Sequence, residues 1–419
     1  MFGVLQLSDI HFAYERDSAV DVDRELRDAL LAFLPQLTAR MGSIDLIVVC
    51  GDVAYHGLER EYETAEGFLR ALRSRLDTPT MPVRVIPGNH DIFRDATESA
   101  DQDNLRSSVR RNGMDADARN AELIKMLSDA TQGAALMEPL AQYNQFAASF
   151  ECAVSSAQPY WDHRFALDDH WVLRLRGMNS VLVSNAMDDR DRLVVGANLQ
   201  CAGWRKDRPG EVNVSLCHHP YCWLLDGQDL RRRVCKRSHL HVTGHVHRHE
   251  LDDSEPGHIR LMGGALQPPR HEHADPRFNG LTFAIRGSIE RPRLELGVVA
   301  VRWDEEEDSF VFDEPNCGQF PINLKPRPAQ PPPLLAPDDP DIGWLTERLS
   351  GLQAAYRFDA AKVAGLSVGE VQVLPEHERV GAIVEKARIS QRLSELWDEV
   401  ARLHGKQTGV ANPFRERGL

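Results

Sequence analysis

Apolar runs rich in β-branched residues alternate with helical patterns in the N-terminal part of the chain. Three such runs each end at a polar cluster, at residues 4–7, 44–49 and 83–86. Runs of this kind are typical of buried parallel strands. The segments between them, residues 23–37 and 59–76, carry apolar side chains on one helical face, and Pro35 is expected to kink or end the first helix. The order strand, helix, strand predicts an α/β fold with βαβ crossovers.

The pattern changes after Asp91. Residues 94–140 are polar and helix-favouring with weak apolar periodicity, so we interpret them as a helical insertion. Strand patterns then return at residues 171–175, 181–183, 212–216, 240–243, 258–262, 281–285 and 298–303. These later strands are expected to complete the same large domain.

Proline-rich sequence separates this domain from the C-terminal residues. Seven of the fifteen residues 326–340 are proline, which is typical of an extended connector. The sequence therefore predicts a domain at residues 1–325, a linker at 326–340 and a small helical module at 341–419. The module is expected to mediate self-association, to bind a protein partner, or to pack on the domain.

Two helices are predicted in the C-terminal module. Apolar residues follow helical spacing from Leu345 to Tyr356 and again from Ile389 to Leu403. The second helix is expected to begin near Pro375 and to end at Gly405, since proline favours a helix start and glycine a helix end.

The composition is that of a globular protein, with 42% apolar and 27% charged residues. No apolar run approaches the length of a membrane-spanning helix, so no membrane association is expected. The polar pair Ser8-Asp9 follows the first short apolar run so closely that no signal peptide fits, which predicts a cytoplasmic location. The seven cysteines are scattered and odd in number, which favours reduced thiols.

The charge is unevenly distributed along the chain. The 63 acidic and 49 basic residues give a formal net charge of −14, and the acidic excess lies upstream of Asp341. Such a surface repels a nucleic-acid backbone unless basic residues are gathered in one place. Five cations lie within residues 231–237, where they either steer an anionic ligand or form the solvated face of a helix.

Five clusters of oxygen-bearing and imidazole side chains each follow a strand-like run. They are Asp9-x-His11, Gly51-Asp52, Gly88-Asn89-His90-Asp91, His218-His219-Pro220 and Gly244-His245-Val246-His247. Because the carboxyl ends of parallel strands meet at one edge of a sheet, we expect these clusters to converge.

A metal centre is the chemistry that this convergence predicts. The candidate donors are Asp9, His11, Asp52, Asn89, His218, His245 and His247. If one carboxylate bridges, these side chains supply enough bonds for two divalent ions with open positions for water and substrate. The mixture of imidazole, carboxylate and amide ligands favours Mn²⁺, Fe or Zn²⁺ over Ca²⁺, with Mn²⁺ the first expectation.

The clusters, read as DIH, GD, GNHD, HHP and GHVH, resemble the five signature motifs of the calcineurin-like metallophosphoesterase superfamily, over about residues 1–325. Residues 51–62 resemble more narrowly its bacterial cyclic-nucleotide phosphodiesterase branch. The resemblance implies a four-layer αββα sandwich with a two-metal centre at the strand ends. It also implies a metal-dependent phosphoric ester hydrolase that cleaves phosphodiesters by attack of a metal-bridging hydroxide.

The resemblance also implies a role for each site residue. Asp9, His11 and His247 would hold the first metal, Asn89, His218 and His245 the second, and Asp52 would bridge them. His218 is preferred to His219 because the family ligand stands two places before the proline. His90 would contact the phosphoryl oxygen or protonate the leaving group, oriented by Asp91. The long insertion at 94–140 departs from the compact family pattern and leaves the substrate open.

Three functions remain after this reading. A phosphodiesterase acting on a nucleotide or cyclic nucleotide comes first. A metal-dependent nuclease acting on DNA or RNA, regulated by the C-terminal module, is the alternative. A scaffold that kept the metal site without turnover is disfavoured by the complete ligand set and the His90-Asp91 pair.

Some further residues have two readings each. His239, His241 and His249 surround the last motif but exceed the ligand count, so we expect them either to support the ligands or to have structural roles. Four arginines of the insertion belong either to a lid that selects substrate or to ordinary surface: Arg106, Arg110, Arg111 and Arg119.

Overall fold

The computed structural model describes residues 1–13, 24–185, 192–206, 208–268, 274–288, 290–326, 339–404 and 412–417. The chain divides into two compact units, Met1–Pro326 and Arg327–Leu419. Most of the predicted linker, residues 327–338, lies outside the described residues.

The strands of the first unit are Phe2–Leu7 (β1), Leu46–Cys50 (β2), Val83–Ile86 (β3), Trp161–Ala166 (β4), Val172–Gly177 (β5), Glu211–Leu216 (β6), Leu240–Thr243 (β7), His249–Asp252 (β8), Ile259–Gly263 (β9), Arg277–Ser288 (β10), Arg291–Asp304 (β11), Ser309–Phe312 (β12) and Gly318–Asn323 (β13). Its α-helices are Arg24–Met41 (α1), Glu59–Arg75 (α2), Ala100–Val109 (α3), Ala116–Ser128 (α4), Ala130–Met137 (α5), Ala141–Ala148 (α6), Ala197–Gln200 (α7) and Gly227–Arg237 (α8).

One side of the first sheet consists of three parallel strands, β1, β2 and β3, as the apolar runs predicted. Val4 lies opposite Leu46, and Ile47 lies opposite Val83. The helices α1 and α2 connect these strands as βαβ crossovers. On the other side of β1, β10 and β11 continue the sheet in antiparallel order, and both β12 and β13 pair with β11.

The second sheet has the strand order β4-β5-β6-β7-β9-β8. Its four central strands are parallel, and the two edge strands are antiparallel to their neighbours. The edge strands β4 and β8 had no clear sequence signal, because polar side chains interrupt their apolar pattern.

The core lies between the two sheets. Apolar side chains of the first sheet face those of the second, among them Val4, Leu46 and Leu281 on one side and Leu173, Val214 and Val242 on the other. Burying both sheet faces requires near-continuous apolar strands, which is the pattern found in β2. The predicted α/β fold, with two sheets and helices, is confirmed.

The insertion is helical, as predicted, and extends beyond residue 140 through α6. The strand expected at residues 181–183 is wrong, because these residues form a buried turn. Arg110 donates to the carbonyl of Val183, and Arg106 donates to the carbonyl of Ser184 at 3.1 Å. Burial against the insertion, rather than strand pairing, explains the apolar run.

Pro35 does not end the first helix. α1 continues to Met41, six residues beyond the proline. Leu34 and Leu37 on either side of it are fully buried. We infer that packing of this face compensates for the hydrogen bond that a proline nitrogen cannot make.

The second unit contains the helices Pro340–Ser350 (α9), Ala354–Ala364 (α10), Val368–Gln372 (α11), Glu376–Ile389 (α12), Leu393–Leu403 (α13) and Pro413–Glu416 (α14). It has a core of its own, in which the rings of Trp344 and Trp397 stack with centroids 3.9 Å apart. The predicted helix start at Pro375 is confirmed. The predicted continuous helices are wrong, since each is broken by a short turn, the second at Gln391, which has a left-handed φ of 56°. The predicted end at Gly405 lies outside the described residues.

Among the described residues, no helix combines the length and the apolar character needed to cross a membrane.

Candidate metal centre

The five clusters meet at one edge of the two sheets. Asp9 and His11 follow β1, Asp52 follows β2, Asn89 and His90 follow β3, His218 follows β6, and His245 and His247 follow β7. Their side chains form contiguous groups of candidate metal ligands, which include Asp9 with His11 and His247, and Asp9 with Asp52 and His218. The clusters therefore converge, as their position after the predicted parallel strands indicated.

Asp52 lies at the middle of the cluster. Its Oδ2 is 3.2 Å from Nε2 of His11 and also 3.2 Å from Nε2 of His218. Its Oδ1 accepts a hydrogen bond from the backbone N–H of His90 at 2.8 Å. Donor atoms bound to one ion at about 2.1 Å lie roughly 3.0–3.4 Å apart. One oxygen of Asp52 thus has the spacing to be shared by two ions.

The hydrogen bonds of His218 fit a metal ligand. Its Nδ1 lies 2.8 Å from the carbonyl oxygen of Cys50, which can only accept, so Nδ1 carries the hydrogen. In the neutral ring Nε2 then presents a lone pair to Asp52 Oδ2 and, at 3.2 Å, to Asn89 Oδ1. These three atoms all carry lone pairs, and a cation between them stabilises their close approach. This set of candidate ligands therefore fits a divalent metal.

The same arrangement recurs at His11. Its Nδ1 lies 3.3 Å from the carbonyl oxygen of Gln267, and its Nε2 faces Asp52. His247 Nε2 lies 3.4 Å from Oδ1 of Asp9, on the same side of the cluster. These contacts separate the candidate ligands into two halves, which meet at Asp52.

The ionisation of the central pair follows from its burial and its charges. Burial alone would raise the pKa of Asp52, but the charges of His218 and His90 and the hydrogen bonds from His11 and His218 hold it well below its usual range. Burial would lower the pKa of His218, but Asp52 raises it to about 9. A proton on His218 stabilises the cluster when no metal is bound, and a metal ion would replace it.

The backbone at the site is strained. Nine described residues other than glycine have a left-handed φ, and five of them are candidate ligands: Asp9, His11, Asp52, His245 and His247. Such conformations cost on the order of 1 kcal/mol each and concentrate at functional sites. The strain directs side chains from several loops toward one point.

Two glycines leave space for the ligands. Gly51 has a φ of 88°, and a Cβ there would overlap the ring of His218. A Cβ on Gly88 would overlap Oδ1 of Asp52. Neither position can carry a side chain without displacing a candidate ligand.

His90 is not oriented by Asp91, so that prediction is wrong. The Nδ1–H of His90 donates to the carbonyl oxygen of Tyr55 at 2.8 Å. The Asp91 carboxylate is fully buried and accepts the N–H groups of Val53, Ala54 and Gly88 instead. Burial and the charge of Asp52 raise the pKa of Asp91 to about 7, although these hydrogen bonds oppose the shift. Asp91 therefore joins two ligand-bearing loops, and it does not touch the His90 ring.

Two aromatic residues flank the cluster. The ring of Tyr55 stacks on His90, with centroids 4.9 Å apart, and remains 38% exposed. The half-buried Trp223 meets the ring of His245 edge-on at 4.1 Å. Sequence reasoning gave neither residue a role. Tyr55 stands within the stretch already singled out, but no sequence pattern links Trp223 to the site.

His219 was also left without a role, although it lies inside the cluster. Its candidate ligand nitrogen lies within 4.8 Å of those of His218 and His245. It is fully buried, and burial together with the neighbouring His245 and His218 lowers its pKa well below the usual range. Its position beside His218 in the sequence was the available signal.

The remaining candidates make contacts away from the cluster. On α8, Arg231 pairs with Glu255, and Arg232 and Arg233 pair with Asp229. Arg119 caps the end of α3 by donating to the carbonyls of Val109 and Arg111. The buried His239 and His241 lie on or next to β7, where they contact Asn213 and Ser215.

Comparison with known proteins gives a family model and a curated relative. A family model described as "Calcineurin-like phosphoesterase" matches residues 2–249. The "Uncharacterized metallophosphoesterase-like protein YydB" of Bacillus subtilis is 23% identical over 290 residues, which cover 65% of this chain and 55% of that protein. The chain thus spans little more than half the length of this relative.

Two solved structures are similar over most of this chain. A dimetal phosphatase from Danio rerio has a TM-score of 0.36 and 12% identity, over 77% of this chain and 99% of its own. Vps29 from Chaetomium thermophilum has a TM-score of 0.31 and 10% identity, over 78% of this chain and 98% of its own.

Proposed function

This chain belongs to the calcineurin-like phosphoesterase family, and we propose that it hydrolyses phosphodiesters of nucleotides or cyclic nucleotides at a centre of two divalent metal ions. Mn²⁺ is the metal we propose first, with Fe and Zn²⁺ as alternatives. The observation that carries the proposal is the position of Asp52 Oδ2, 3.2 Å from a histidine nitrogen on each side.

In the proposed centre, Asp52 bridges two sets of ligands. The first set is Asp9, His11 and His247, and the second is Asn89, His218 and His245. Two divalent ions held there would activate a water molecule and neutralise the charge that develops on the phosphoryl oxygens. The buried carboxylates of Asp9 and Asp52 supply negative charge that balances such ions.

His90 is proposed to contact the reacting phosphoryl group. Because its Nδ1–H is held by the Tyr55 carbonyl, Nε2 is the nitrogen left for the substrate. In the protonated ring, Nε2 would donate to a phosphoryl oxygen or to the leaving group. Burial lowers the pKa of His90, although the charge of Asp52 opposes the shift.

The aromatic rings beside the cluster support a nucleotide as the substrate. A nucleobase is planar and stacks on aromatic side chains with about 1–3 kcal/mol per base. Tyr55 has part of its ring exposed beside His90, the residue proposed to contact the phosphoryl group. A base attached near the scissile phosphate would meet this ring.

Hydrolysis by the purified protein after loading with Mn²⁺ tests the proposal. The substrates are a chromogenic diester, its monoester, cyclic nucleotides, and single-stranded and duplex DNA and RNA, and Asp52→Asn is the control. We expect turnover of cyclic nucleotides or other nucleotide diesters that the variant loses. Cleavage of polynucleotides alone would favour a nuclease instead. Turnover of the monoester alone, or no difference between the two proteins, would contradict the proposal.

A further inference from the structure

His219 bridges a buried serine and a candidate metal ligand. Its Nδ1 lies 2.8 Å from Oγ of Ser180, and its Nε2 lies 3.1 Å from Oδ1 of Asn89. Ser180 and His219 are fully buried, and Asn89 is 8% exposed. Both contacts are therefore largely shielded from bulk solvent.

The Asn89 amide has two ends of nearly equal shape but opposite chemistry. Its oxygen binds a metal ion, whereas its NH₂ group is a hydrogen-bond donor that does not. An N–H group directed at one end of the amide stabilises the orientation with oxygen at that end. His219 Nε2 can be such a donor if Nδ1 accepts a hydrogen bond, and the Ser180 hydroxyl is placed to donate one.

We propose that His219 is a positioning residue, whose Nε2–H holds the Asn89 amide with its oxygen toward the second metal ion while its Nδ1 accepts a hydrogen bond from Ser180. The inference rests on the two-metal centre proposed above and is independent of its substrate. His219 is not a ligand in this arrangement. Asp52, Asn89, His218 and His245 already provide four protein ligands, and a fifth would occupy a position that water and substrate need.

Two substitutions at residue 219 separate the proposal from a purely structural role. In His219→Gln, the side-chain NH₂ reaches about as far as imidazole Nε2 and can still donate to Asn89. In His219→Asn, the shorter amide reaches only the position of Nδ1, so the contact with Ser180 is kept and that with Asn89 is lost. We expect His219→Asn to weaken binding of the second metal ion by roughly 10–100-fold, as the loss of other partners of metal ligands does. His219→Gln should stay within a few-fold of the wild type.

The metal dissociation constants are measured by competition with a chromophoric chelator, together with metal content, so no substrate is involved. Asn89→Asp provides a background in which both ends of the side chain are oxygen and no orientation has to be chosen. In that background, the effect of His219→Asn should shrink to a few-fold.

Two results would overturn the role of His219 while leaving the metal centre intact: equal weakening by both substitutions, or an undiminished effect in the Asn89→Asp background. A change in the visible absorption of the Co²⁺-loaded protein in His219→Gln would make His219 a ligand and also overturn it. A wild-type protein that binds fewer than two ions would overturn both the inference and the centre on which it rests.

Discussion

Lowering the pH from 7.5 to 5 should destabilise the first unit through two buried histidines outside the metal cluster. His239 is 2% exposed and His241 is fully buried. Burial, followed by the charge of Lys206 at His239 and that of His258 at His241, lowers the pKa of both to about 3. The Nδ1 of His239 also accepts a hydrogen bond from the backbone N–H of Asn213.

The direction and size of this pH effect follow from proton binding by the two histidines in the folded and unfolded protein. Below pH 6.5 the unfolded chain binds a proton at each histidine, whereas the folded protein does so only near pH 3. The unfolding free energy therefore has its full value above pH 6.5 and decreases as the pH falls below it. Each histidine contributes about 1.4 kcal/mol per pH unit, so at pH 5 each costs about 2 kcal/mol and the pair about 4 kcal/mol of unfolding free energy.

Urea unfolding of wild type and His239→Asn, with EDTA present, measures this contribution. Asparagine keeps an acceptor near the Nδ1 position but does not titrate, so the variant should be less stable at pH 7.5 and should recover about 2 kcal/mol relative to wild type by pH 5. The control for replacing a histidine as such is His170→Asn, at an exposed position. A constant difference between wild type and His239→Asn across this range would refute the reasoning.

Three further predictions concern the metal centre and its rim. Asp52→Asn should reduce the bound metal from two ions per chain to one or none. His90→Ala should keep both ions and lower kcat by about 10²–10⁴-fold. A His90→Ala protein without bound metal would contradict the roles proposed. Gly88→Ala should also lose metal, because the added Cβ overlaps Asp52 Oδ1, and full metal content in that variant would show that the loop can move. Tyr55→Leu should lower the kcat/KM of thymidine 5′-nitrophenyl phosphate relative to methyl nitrophenyl phosphate by roughly 5–150-fold, the equivalent of one lost stacking contact, with Tyr55→Phe as the control. An unchanged ratio would mean that the base does not meet this ring.

Much of the fold and the convergence of the ligand clusters could be predicted because both depend on local pattern. A buried parallel strand such as Leu46–Cys50 is apolar throughout, and the polar residues that follow it must lie at the carboxyl edge of its sheet. Side chains at several such edges meet whenever the strands are neighbours. The contacts of Asp9 with His245 and His247, which lie 236 or more residues away in the sequence, needed only this rule.

Local pattern was less informative where packing between distant segments decides the outcome. Residues 181–183 are as apolar as a strand, but arginines of the insertion donate to the carbonyls of Val183 and of the following Ser184. The predicted C-terminal helices are interrupted by turns, and one residue of each apolar pattern is exposed next to the break: Tyr356 is 44% and Ile389 is 59% exposed. Apolar spacing did not reveal the breaks, because helices on both sides of each turn contribute to one core.

The sequence by itself determined the family, the α/β fold and the candidate ligands, because these follow from strand periodicity and from chemically distinctive side chains at strand ends. Only the tertiary structure decided which partner each polar group has: Tyr55 rather than Asp91 for the ring of His90, and Ser180 with Asn89 for His219. Hydrogen bonds between loops depend on how two sheets and their connections pack, to within a few tenths of an ångström. Periodicity along the chain fixes which face of a strand is buried, but it contains no information about that distance.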